Sequence, residues 1–332
     1  MNETERNDIR QYEKDLLERI LRCIRQNGGD RLLSSVVLTG SFGRDEPTYV
    51  FHDDGTFHLK SDVEIALVFP RMSQKADVEA LIRSVSAGFA EDLNLMAISR
   101  QRVKKACNFN LSFAEPKYKT VFTFDLFNGS RTIWGQDFIS NKKIAVSDID
   151  PYEGKRLVAN RIGELTYLQD RGSSQADREM LRMQWKGKLM LAIASAWLIS
   201  EGDYVSSYRG QFAKMKEHAQ AVEELLGSSF FAEYEKVFLF LRGGGTPYEV
   251  SDDNLCAYVR CISDYLSAQG VRKPRINTVS RKIKYCMKYW KAGMPYGPWR
   301  FEEKIHQMLI ASFCHQREDL ADIALVWHRV LY

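Results

Sequence analysis

Two short runs of this chain hold the residue types that chemistry most often needs. The first is Leu38-Thr39-Gly40-Ser41-Phe42-Gly43-Arg44-Asp45-Glu46, and the second, some twenty residues beyond Ser41, is Asp62-Val63-Glu64. Gly40 and Ser41 follow an apolar, β-branched run and read as the opening of a helix, where backbone N–H groups and the helix dipole suit an anionic phosphate. Glycine permits close backbone approach there, and the serine hydroxyl adds a donor. Asp62 and Glu64 stand two apart on an expected strand, so both side chains emerge on one face despite the apolar residue between them. Two such carboxylates can hold Mg²⁺ or Mn²⁺, hard cations that prefer oxygen ligands. A pair of these ions can align an attacking hydroxyl with the α-phosphate of a nucleotide and neutralise the departing pyrophosphate. Asp125, the one charge in an apolar run, is the candidate third acid, because an isolated buried charge is costly unless paired or metal-bound.

The elements that must position these residues can be read from periodicity. Leu16, Leu17, Ile20, Leu21 and Ile24 share one face of an amphipathic helix from about Tyr12 to Gln26, which Gly28-Gly29 ends. Ser35 to Thr39 reads as a short buried strand and Val63 to Phe69 as a second, with a small hairpin between Tyr49 and His58 around the turn Asp53-Asp54-Gly55. Ser73 is placed to cap a helix running to about Phe89. Thr120 to Phe127, rich in aromatic and β-branched residues, reads as a third strand carrying Asp125. From Tyr152 onward the apolar spacing becomes three-to-four throughout, which predicts helices over 152–170, 177–201, 208–226, 229–242, 252–269, 278–291 and 299–330, the last with a break near His315. Gly202, Gly227 and Gly243-Gly244-Gly245 are the expected interruptions.

Gly-Ser, a spacer, Asp-x-Glu on a strand and a later Asp together resemble the signature of the DNA polymerase β nucleotidyltransferase superfamily, over roughly residues 35–130. The spacer between Ser41 and Asp62 is longer than is usual in that family, and the hairpin accounts for the excess. The resemblance implies an α+β chain: a mixed α/β nucleotidyltransferase domain with a short sheet over residues 1–145, then an all-α domain over 146–332. It implies Asp62, Glu64 and Asp125 as catalytic metal ligands, and Gly40 and Ser41 as phosphate contacts. Arg44 can reach phosphate too, or pair with Asp45 or Glu46.

In the second half, Asn160 to Leu165, the lysines of an apolar helix and Glu201 to Arg209 resemble the helical partner domain of stand-alone enzymes of that superfamily. The resemblance places Lys186 or Lys188 near a triphosphate and Ser207 and Tyr208 near the nucleotide, in a cleft between the halves. The plainer alternatives are a solvated face for the lysines, a packing role for Tyr208, and capping rather than base catalysis for Glu164. The expected reaction is Mg²⁺-dependent transfer of a nucleoside monophosphate from a triphosphate, ATP being the first choice, to a hydroxyl acceptor. A small molecule, a protein side chain and a second nucleotide in cyclic or oligonucleotide synthesis are all compatible acceptors. A catalytically inactive nucleotide-binding module is the alternative from another class.

Composition bounds these readings. The 332 residues suffice for two domains of ordinary size, and a formal net charge of +4 does not by itself point to a polyanion. Local clustering matters more: Arg281, Lys282, Lys284, Lys288 and Lys291 crowd 278–291 with Tyr285, Tyr289 and Trp290, a basic face that could bind nucleic acid or simply be solvated. The six cysteines are scattered, as reduced and buried thiols would be, and Cys256, Cys261, Cys286, Cys314 and His315 lack the second close pair that a zinc site favours. No run approaches the ~18 apolar residues of a membrane span and no signal peptide is evident, so the expectation is a cytoplasmic protein without membrane contact.

Overall fold

A computed structural model describes residues 3–52, 56–89, 93–99, 119–140, 143–168, 174–242, 246–271, 301–315, 320–321 and 323–324. The chain is α+β and divides into two compact units, Met1–Asp148 and Ile149–Tyr332. In the first unit α1 (Glu3–Gln26) sets Leu16, Ile20 and Ile24 in the core at four-residue spacing. It stops at Gly28, whose φ of 85° is left-handed, and a single turn, α2 (Gly29–Leu32), leads into β1 (Ser35–Leu38). The four-residue turn α3 (Gly40–Gly43) follows. The hairpin β2 (Tyr49–Phe51) and β3 (Phe57–Leu59) forms as the sequence implies, although its tip at 53–55 lies outside the described residues. Tyr49 and Phe57 lock it onto Tyr12 of α1 in an edge-to-face aromatic triangle.

The longest strands are β4 (Val63–Phe69) and β5 (Leu93–Ser99), which run parallel across the crossover helix α4 (Lys75–Ser86). Ser73 does not cap α4. It lies in a 3-10 turn, Met72–Gln74, and Gln74 takes the N-cap position. Helix α5 (Val121–Asn128), β6 (Arg131–Gly135) and a 3-10 turn, Val146–Asp148, follow among the described residues. The four-stranded sheet has the order β5-β4-β1-β6, with β1 antiparallel to both neighbours. One face packs on α1 and α4 through Val36, Leu38, Ile65 and Leu67. The other packs Val37, Ala66 and Val68 against Leu126 and Phe127 of α5.

Helix α5 overturns the third expected strand. Val121, Phe124, Leu126 and Phe127 are all buried, while Phe122, Asp125 and Asn128, at three-residue spacing, form the half-buried face of a helix. Strand propensity spans only ~1 kcal/mol and yields to context. Here the Thr120 hydroxyl accepts from the Thr123 N–H at 3.1 Å, an N-cap of about 1 kcal/mol that favours the helix.

In the second unit α6 (Tyr152–Leu168) packs against the 27-residue α7 (Gln175–Glu201). Ser174 and Asp177 form a reciprocal capping box at the start of α7, and Gly202 ends it with a left-handed φ of 78°. The helix expected over 208–226 is two, α8 (Tyr208–Glu217) and α9 (Ala219–Leu226). His218 breaks it: its Nε2 lies 2.8 Å from Asp203 Oδ2 and its ring stands edge-on to Trp197. Then come α10 (Phe230–Leu241), α11 (Asp252–Ala268) and α12 (Phe301–Cys314), the last ending beside His315. Residues 243–245 and 278–291, with the expected hinge and basic helix, lie outside the described residues. Among the described residues no helix is long and apolar enough to cross a membrane.

Candidate functional site

The antiparallel register of β1 and β4 puts Leu38 opposite Ile65, and the Thr39 N–H donates to the Glu64 carbonyl at 2.9 Å. Gly40 and Ser41 therefore leave the sheet beside the acids. A β-carbon on Gly40 would lie 1.8 Å from Glu64 Oε2, a side-chain end that can move, and the left-handed φ of +62° is what favours glycine there. Ser41 Oγ is buried and has no hydrogen-bond partner among the described residues. A buried hydroxyl left so costs roughly 1–3 kcal/mol unless something else satisfies it.

Val63 is fully buried on the α1 and α4 face. Glu64 alternates with it, on the face of Ala66 and Val68 that α5 covers. Asp62 immediately precedes β4, and both acids are half-buried. Asp125 is half-buried as well, but on α5 rather than on a strand. It thus rides on the helix covering the face to which Glu64 belongs. Lys60, two residues before Asp62, has its ammonium pKa lowered by burial.

These residues fit a hard divalent cation in part. Two carboxylates around Val63, that of Glu64 lying against Gly40, and a serine hydroxyl with no partner among the described residues make an oxygen-rich corner. Among the described residues, however, no group of three or more His, Cys, Asp or Glu is gathered closely enough to hold a metal ion. The α3 turn is also a single turn, so phosphate contact there rests on the backbone and on Ser41 rather than on a long helix dipole.

The remaining candidates are held in other ways. Arg44 Nε lies 3.8 Å from Glu46 Oε2, both side chains nearly buried, which is the pairing alternative. Lys186 donates to the Val250 carbonyl at 2.9 Å and pairs with Asp252 at 2.8 Å. Lys188 is exposed, its Nζ 4.0 Å from the centre of the Trp185 ring. Ser207 caps α8, its hydroxyl accepting from the Gly210 N–H at 2.8 Å. Tyr208 is half-buried at the first position of α8. Glu164 pairs with Arg161 one turn away.

The sequence reading passed over Trp185, which receives cations from two helices, Arg161 at 5.9 Å and Lys188 at 4.0 Å. The three-residue spacing from Trp185 to Lys188 was its local signal. Cys256 and Cys314 do approach each other, but as buried thiols: Cys256 Sγ donates to the Phe313 carbonyl at 3.2 Å, and burial pushes the Cys314 thiol up to about 11. No protein-family model matches the chain, and neither the curated proteins nor the solved structures contain a match.

Proposed function

We propose that the chain is a Mg²⁺-dependent nucleotidyltransferase of the DNA polymerase β type, moving a nucleoside monophosphate from a triphosphate to a hydroxyl acceptor and releasing pyrophosphate. The observation that carries this reading is the convergence of Gly40, Ser41 and Glu64 at one end of β1 and β4, with the Glu64 carboxylate against Gly40 and a buried serine hydroxyl that has no partner among the described residues. Asp62 and Glu64 would hold the Mg²⁺ or Mn²⁺, with Asp125 as the third acid. When bound, the ion supplies charge neutralisation on the triphosphate and lowers the pKa of the attacking hydroxyl.

The chain's own groups would do the rest. The Ser41 hydroxyl donates to a phosphate oxygen, and the bare Cα of Gly40 lets the phosphate approach the backbone. Asp125 accepts the proton of the acceptor hydroxyl as the new bond to phosphorus forms. ATP is the first nucleotide to test.

A second reading, a nucleotide-binding module without turnover, is favoured by one observation. The three acids are not gathered into a metal cluster among the described residues. Incubation with each labelled triphosphate and Mg²⁺ or Mn²⁺, with and without cell extract, separates the two. Labelled product with pyrophosphate supports the enzyme, product only with extract means an external acceptor, and metal-dependent binding without pyrophosphate supports the module.

A further inference from the structure

A cavity of about 350 Å³ opens in the helical unit among α6, α11 and α12. Its deepest groups are Tyr152 and His306, 4% and 2% exposed. Their rings stack, and Tyr152 Oη lies 3.0 Å from His306 Nδ1. Because each ring is buried and tied to the other across two helices, the imidazole that reaches the cavity is fixed in place before any ligand arrives.

Two cations line the same cavity. Lys155, one turn beyond Tyr152 on α6, donates to Ser267 Oγ at 2.9 Å and to the Val271 carbonyl at 3.1 Å. Arg260 on α11 donates through Nη2 to the carbonyl of Cys314 at 3.0 Å, a neutral partner that leaves its charge uncancelled. The hydroxyls of Ser263 and Ser267 stand three and seven residues beyond Arg260, on the same side of α11. Among the described residues of the lining Asp264 is the one carboxylate against two cations, which gives those residues a net charge of +1 with both histidines neutral (2 − 1).

A volume near 350 Å³ matches one small molecule rather than a polymer, at the lower end of the ~300–1,000 Å³ typical of ligand sites. We propose that this cavity is a binding site for a small organic anion, a phosphate monoester or a carboxylate. Lys155 and Arg260 hold its acidic group, and His306 and the Ser263 hydroxyl complete the hydrogen bonds, the Ser267 hydroxyl being spent on the Ser263 carbonyl at 2.7 Å while it orients Lys155. Asp264 accepts from a hydroxyl or amino group on the rest of the ligand. The site lies wholly within the helical unit and does not depend on the chemistry proposed for the first unit.

The test is calorimetric titration of the full chain with inorganic phosphate, glycerol 3-phosphate and acetate, at constant ionic strength, in EDTA so that no divalent cation recruits phosphate elsewhere. Saturable one-to-one binding is expected, and the preferred anion identifies the ligand class. Arg260→Gln removes one charge-assisted grip from an exposed position without a burial cost, and should weaken binding about ten-fold. Lys155→Met should weaken it by a similar factor. It also cuts an anchor between α6 and α11, so its thermal midpoint without ligand is read alongside. Ser41→Ala should leave the affinity unchanged. The proposal is overturned if no anion binds saturably, if Arg260→Gln binds as tightly as the parent, or if Ser41→Ala abolishes the heat.

Discussion

The corner formed by Gly40, Ser41, Asp62 and Glu64 and the region around Lys186, Ser207 and Tyr208 were both expected to meet one nucleotide, yet their side chains are committed very differently. In the corner the Ser41 hydroxyl is buried with no partner among the described residues, which costs stability, and the Glu64 carboxylate lies against a bare Cα. In the helical region Lys186 bonds a carbonyl and Asp252, and Ser207 caps a helix. Those residues already contribute to the fold. A binding site differs from a charged surface in what it leaves unsatisfied, more than in which residue types it contains.

The comparison is broken most severely at Gly40. Gly40→Ala forces a β-carbon into a left-handed backbone, roughly 1–2 kcal/mol, and displaces the Glu64 carboxylate as well. Thermal unfolding should show a clear loss, together with loss of any nucleotide binding. Asp62→Asn should do the opposite to stability: the midpoint stays near that of the parent while metal-dependent nucleotide binding disappears.

In the helical region the effects should be smaller and should fall on the fold. Lys186→Ala loses a half-exposed ion pair and a hydrogen bond to a carbonyl, about 1 kcal/mol in denaturant unfolding. Lys188→Ala should change stability by no more than about 0.5 kcal/mol. If Lys186→Ala instead left stability unchanged and weakened nucleotide binding, the contrast drawn above would be wrong.

The smallest effect expected is at Asp137. Hydrogen bonds from Ser140 and the Ile139 N–H hold its carboxyl near 2, below its ordinary value. A depressed folded-state pKa gives stability that is present above the unfolded pKa, ~3.9, and lost as pH falls from there toward 2. Asp137→Asn should therefore lower stability slightly at neutral pH, flatten the profile between about 4 and 2, and converge with the parent near pH 2.

Much of the corner was legible because strand geometry is local. Val63 is buried, so Asp62 and Glu64 must flank it, and a glycine followed by serine after a β-branched strand marks a turn. What escaped was decided by distant packing. Asp125 was placed on a strand because Val121 to Phe127 has strand-like composition, whereas the half-buried Phe122 and Asp125 are three residues apart on one helix face. The commitment of Lys186 could not be read, since Asp252 lies on another helix 66 residues away. Strand β5 was missed because Leu93, Leu95 and Ala97 alternate with Met96 and Ile98, which blurs the period of two. His218 looked like an ordinary helical residue until Asp203 and Trp197 were seen to hold its ring.

The corner in the first unit is proposed to be a metal-dependent nucleotide site. The most direct test is calorimetric titration of the full chain with ATP in the presence and absence of Mg²⁺, repeated on Asp62→Asn and Ser41→Ala. The account predicts saturable binding that requires Mg²⁺, disappears in Asp62→Asn and weakens by about ten-fold in Ser41→Ala through loss of one hydrogen bond to a charged group. Binding that is indifferent to Mg²⁺ and equal in all three proteins would contradict it.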